Sequence, residues 1–97
     1  MFVLALRVEL LVPTSQSLKA KRHVVKSLVE TARSRFHVAS SEVDFLDLWQ
    51  RAGLGFAAVG SSANHVESII DEVERFVWSH PEVNILMCER SWLDAST

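Results

Sequence analysis

Four cations, Lys19, Arg22, Lys26 and Arg33, lie where residue type and spacing most directly suggest a function. At helical periodicity they fall within about 60° of arc and form a single ridge. A ridge of that kind fits the regularly spaced charges of a phosphate backbone. The same charges could also make a solvated helix face, or one that meets an acidic neighbour. Lys21 belongs to the same basic run and is a candidate for the same contact, yet its helical angle sets it inside an apolar stripe, between Leu18 and Leu28. A lysine in that position snorkels to water or finds a carboxylate. Asp44 and Asp47 are the expected ion-pair partners, and anion binding is the alternative use of the ammonium.

The remaining reactive side chains offer less. Glu42, Asp44 and Asp47 crowd one turn, where acids commonly cap or hold the chain, and no calcium-loop spacing or nucleophile accompanies them. His23, His37, His65 and His80 show no metal-ligand spacing, and Cys88 has no second cysteine, so no metal, disulfide or cofactor is expected. Gly53, Gly55 and Gly60 lie in a strand pattern rather than ahead of a helix, which is not the arrangement of a phosphate-binding loop. Nothing in this set makes an activated nucleophile or an acid/base pair, and the chain is expected not to be an enzyme. Of the three tryptophans, Trp78 lies about 140° from the centre of its helix's apolar stripe and is expected to be exposed, as an interface anchor or packed against the C-terminal strand.

The elements that position these residues follow from hydrophobic periodicity. Phe2, Leu4, Leu6, Val8, Leu10 and Val12 alternate as one face of a strand, with Arg7 and Glu9 on the other. After Pro13, Ser15 or Ser17 caps a helix whose stripe is Leu18, Val25, Leu28, Val29, Ala32 and Phe36. A weak edge strand covers His37 to Asp44, and Phe45 to Gln50 connects it to a short small-residue strand, Gly53 to Gly60, whose glycines imply a bulge or close backbone approach. Asn64 and Glu67 are spaced as a capping box for a second helix, with the stripe Val66, Ile69, Ile70, Val73, Phe76 and Val77, which His80-Pro81 stops. A last strand runs from Val83 to Leu93. The order βαββαβ predicts an α+β, ferredoxin-like fold: a four-stranded antiparallel sheet with both helices on one face and the other face open. Strands one and three are expected at the centre, which sets Arg7 and Glu9 in the middle of the open face. That makes them candidate interface residues.

The bulk properties agree. Ninety-seven residues suit one domain with one core, and a formal net charge of −2 disfavours a generic polyanion binder. The charge is unevenly distributed. From Ser17 to Phe36 there are six cations against Glu30, a net of +5, whereas Asn64 to Ser79 has a net of −3. The apolar start lacks the basic flank of a secretory leader, and no segment has the roughly 20 apolar residues of a membrane span, so a cytoplasmic protein without membrane contact is expected. The element order is shared with RNA-recognition motifs, but their signature is incomplete: Leu54 replaces the basic residue, and Ala58 and Ser61 replace aromatics. Base stacking on the sheet is therefore not expected.

The run Ser17-Leu18-Lys19-Ala20-Lys21-Arg22, the segment Phe36-His37-Val38-Ala39 leading to Glu42, and Asp47-Leu48-Trp49 before a glycine-bearing strand resemble the YlxP-like family of small bacterial proteins, a domain of unknown function. The likeness covers almost the whole chain in length and element order. It implies a ferredoxin-like fold and, because genes of this family often neighbour those for translation initiation and ribosome maturation factors, a role linked to translation. His37 departs from the asparagine frequent in the family. Two functions are thus expected as alternatives. One is a binding protein that meets RNA or ribosomal components through Lys19, Lys21, Arg22, Lys26 and Arg33; the other is a homo-oligomer built on the open sheet face and Trp78.

Overall fold

The computed structural model describes residues 1–93 of the 97. Its elements are β1 (Phe2–Leu11), α1 (Leu18–Phe36), β2 (Ala39–Asp44), β3 (Arg51–Gly60), α2 (Ala63–Trp78) and β4 (Asn84–Trp92). The strands form one antiparallel sheet in the order β2-β3-β1-β4, an α+β ferredoxin-like arrangement. The expected central pair, β1 and β3, is the central pair found.

Alternation along β1 explains the layering. Leu4, Leu6, Val8 and Leu10 are fully buried beneath the helices, each contributing roughly 1.5–3 kcal/mol of transfer free energy. Opposite them on β3, Leu54, Phe56 and Ala58 share the same face. From above, α1 buries Val24, Val25, Leu28, Val29 and Ala32, and α2 buries Val66, Ile70, Val73 and Val77, while Phe36 and Phe76 join the helices through tilted rings 5.6 Å apart. Leu18, expected in the core, is only partly buried at the helix start.

The helix ends show local chemistry at work. Ser17 caps α1, its Oγ accepting from the Ala20 N–H at 3.0 Å. The cap of α2 is Ser62, accepting from the His65 N–H, rather than the expected Asn64, because the helix begins one residue before that asparagine. His37 ends α1 in the left-handed region, with φ 56° and ψ 41°. That conformation favours Gly and Asn, and histidine is among the side chains that tolerate it. His37 thus serves as the left-handed residue that ends α1.

β3 begins at Arg51, two residues earlier than expected, and its glycines have a specific use. A Cβ on Gly53 would lie 2.7 Å from the Asp44 Cβ and 3.4 Å from the Asp44 Cα and N, and one on Gly55 would lie 3.1 Å from a Val43 methyl. β2 thus leans over β3 where β3 carries no side chain. The register shifts here: Glu42 pairs with Leu54 and Asp44 with Gly53, so Val43 is an extra residue, a β-bulge. Gly53→Ala should force β2 away from β3 and lower stability by about 1–3 kcal/mol, read as a lower denaturant midpoint at unchanged slope.

Candidate functional site

The bulge distributes the acids of β2 between the two faces of the sheet. Glu42, opposite the buried Leu54, turns toward the helices, whereas Asp44, opposite Gly53, lies on the open face. In an unbroken strand the two would share a face. Lys21 therefore does not pair with Asp44 or Asp47: its partner is Glu42, with Nζ 2.9 Å from Oε2. The ammonium is fully buried, which removes Lys21 from the basic surface where the sequence had offered it as a binding residue. Lys21 Nζ donates to the carbonyls of Phe45 (2.8 Å), Arg51 (3.2 Å) and Leu46 (3.3 Å). An ammonium has three N–H groups, and all three are directed at carbonyls. Glu42 Oε2 is left with a charge contact that lacks hydrogen-bond geometry.

Those three carbonyls belong to the two ends of the β2–β3 loop, so Lys21 fastens the loop beneath the first turns of α1. Other bonds secure it further. Gln50 Nε2 donates to the carbonyls of Pro13 and Ser15, the Val12 N–H donates to Gln50 O at 2.8 Å, and the Leu48 N–H donates to Phe45 O. Phe45 adopts a positive φ of 61°, and the Arg51 guanidinium sits over its ring, 4.2 Å from the centroid. The exposed residues of the loop are Leu46, Asp47, Leu48, Trp49 and Gln50, with Trp49 57% exposed. Trp49, part of the Asp47-Leu48-Trp49 segment that carries the family resemblance, was not among the candidate site residues. Its neighbours Asp47 and Gln50 mark a loop, which was the one signal available that this tryptophan is exposed.

On the open face a chain of charges crosses three strands. Arg7 donates to Asp44 through Nε and Nη2 and to Glu9 through Nη1, and Arg51 Nη2 donates to the other Glu9 oxygen at 2.7 Å. Asp44 reaches over β3 to β1 because Gly53 and Gly55 leave the way clear. The four charges neutralise one another, and beside them lies a shallow cavity of about 390 Å³ floored by Ala5, Gly55, Ala57, Ala39 and Ser41. The paired strands β1 and β3 place Val3, Ala5, Arg7, Glu9 and Leu11 beside Arg51, Gly53, Gly55, Ala57 and Val59, a surface with no aromatic on which a base could stack. Arg51, and then Arg7, hold the Glu9 carboxyl below the usual carboxylate range by hydrogen bonding.

The ridge on α1 is divided. Arg33 turns down to the sheet edge, where Nη2 donates to Ser40 O at 2.8 Å, so one cation covers a carbonyl of the edge strand. Lys19, Arg22 and Lys26 remain exposed, and their one carboxylate contact among the described residues is Lys26 to Glu30 at 4.0 Å within the same helix. The acidic helix does not meet them: Asp71 and Glu74 of α2 are engaged by Arg90 on β4. Trp78 is 59% exposed at the end of α2.

Lys21→Met should destabilise the fold by about 3–5 kcal/mol, because Glu42 and three carbonyls lose their partner in the interior. Adding Glu42→Gln should recover part of that loss, a coupling that a double-mutant cycle in urea measures. The pH dependence of Glu9 has a definite sign. Its folded carboxyl titrates lower than its unfolded one, so its contribution is complete above the unfolded value of about 4.3 and disappears as pH falls through the lower folded value. Glu9→Gln should therefore be less stable than the parent at neutral pH, and the gap should narrow as acid unfolding is followed downward from about pH 4.

The sequence signature described as protein of unknown function (DUF503) matches residues 3–90. The chain is also 34% identical over 84 residues to "Uncharacterized protein YlxP" of Bacillus subtilis (strain 168), covering 87% of this chain and 91% of that protein. The signature and the relative each cover most of the chain, and the chain belongs to the DUF503, YlxP-like family.

Proposed function

We propose that this protein is a non-catalytic binding module that contacts structured RNA, ribosomal RNA included, through the flank of α1 bearing Lys19, Arg22 and Lys26. The observation that carries the reading is the state of these three cations: exposed, on one flank, and, among the described residues, held by no carboxylate beyond the long contact of Lys26 to Glu30. Several other charges are committed, in the Asp44–Arg7–Glu9–Arg51 chain on the sheet and in the Arg90 pairs to Asp71 and Glu74, whereas the exposed Arg35 and Arg75 stand apart from this flank. The translation-linked role implied by the family resemblance points the same way.

A second reading is favoured by a separate observation. The open face has four mutually neutralised charges, the exposed carboxylate of Glu89, and exposed Val43, Val59 and Met87, and a copy of the same chain related by a two-fold axis would cover them. Sedimentation at micromolar concentration separates a monomer from such a dimer.

Titration with an RNA hairpin tests the first reading. Three to four phosphate contacts should weaken binding roughly 40- to 150-fold between 50 and 200 mM salt. Lys19→Glu/Lys26→Glu should remove most of the affinity and flatten the salt dependence. Absence of binding at low salt, or full affinity in the double variant, overturns the reading.

A further inference from the structure

We infer that Trp49 is a stacking platform for one unpaired RNA base, a contact that rests on the RNA reading of α1 and adds a preference for looped over fully paired RNA. The loop bearing Trp49 is joined to the basic helix itself: Lys21, next in sequence to Arg22, holds the loop carbonyls of Phe45 and Leu46, and Gln50 holds the chain just ahead of Lys19 at Pro13 and Ser15. An exposed indole and three exposed cations thus stand on one rigid assembly. Aromatic rings beside a cationic track are the means by which proteins hold single-stranded nucleic acid.

Rigidity is the second support. Trp49 is flanked by residues that are tied down on both sides, Leu48 through its N–H and Gln50 through side chain and carbonyl, with Arg51 O on the Lys21 ammonium. Its backbone is ordered before any ligand arrives, which reduces the entropy lost on binding. The charge of the loop selects which part of RNA it can take. Its one ionisable side chain between Phe45 and Gln50 is Asp47, exposed and anionic, so a base is accepted there and a phosphate is repelled. Trp78, equally exposed, stands on the helix that carries Asp71, Glu72 and Glu74, an environment unsuited to a polyanion.

Two labelled RNAs distinguish this inference from the reading beneath it: a hairpin with an unpaired loop, and a blunt duplex of equal charge. Trp49→Leu keeps apolar bulk but lacks a π face, and Trp49→Phe restores a ring. The parent should bind the hairpin more tightly than the duplex. Trp49→Leu should weaken hairpin binding by roughly 5- to 150-fold with an unchanged salt slope, Trp49→Phe should retain most of the affinity, and duplex binding should be the same in all three. Hairpin affinity unchanged in Trp49→Leu overturns the stacking contact and leaves the basic flank standing, whereas failure of the parent to bind either RNA overturns both. A parent dimer that Trp49→Leu dissociates, with RNA affinity unaltered, assigns the loop to a second copy and also overturns the inference.

Discussion

The buried ammonium of Lys21 is the interaction on which the arrangement of this protein's surfaces depends. It is among the largest fully buried side chains of the described residues, and it replaces hydrophobic packing at the point where α1, β2 and the β2–β3 loop converge. Burying such a charge costs several kcal/mol, an outlay offset only when the charge has a counter-ion and full hydrogen bonding. Here Glu42 supplies the counter-charge, and carbonyls from Phe45, Leu46 and Arg51 take the three N–H groups. Such an arrangement yields less net stability than its gross energy suggests. What it supplies is position: a loop of six residues with three exposed apolar side chains is held in one conformation without a hydrophobic core of its own.

The bulge at Val43 is the second half of the same device. By inserting one residue it sends Glu42 toward Lys21 and Asp44 toward Arg7, so one short strand serves an ion pair in the interior and a charge chain on the open face. Gly53 and Gly55 are its complement, since the leaning strand occupies the space their side chains would need. Bulge, glycines and buried lysine are one structural solution spread over 35 residues of sequence.

The same device explains where the sequence was readable. Period-two alternation in Phe2–Leu11 and the apolar stripes of both helices carried the fold, because burial on one face leaves a pattern that needs no partner to be recognised. Lys21 was recognisable as anomalous from its helical angle alone. Its partner was not, since in a regular strand Glu42 and Asp44 are equivalent in face and only the bulge separates them. The glycines announced a close approach without saying which strand approaches. Arg33 joined the ridge by angle, but its reach to Ser40 depends on β2 lying at the sheet edge beneath that flank of α1, a fact of topology. Trp49 carried no periodic signal, for a loop side chain has none.

Charge segregation sets the strength of any contact at α1. The protein is net acidic, and neighbouring packed helices lie roughly 10 Å apart, comparable with the screening length at physiological salt. The carboxylates of α2 are therefore close enough to diminish the field of Lys19, Arg22 and Lys26, even with Arg90 drawing Asp71 and Glu74 to the far side. Three cations under these conditions give a weak, salt-sensitive attraction that many polyanions could satisfy. A partner chosen from among them must be recognised by something other than charge. Under the RNA reading proposed above, that recognition would come from the exposed side chains of the β2–β3 loop, whose backbone Lys21 ties to this helix.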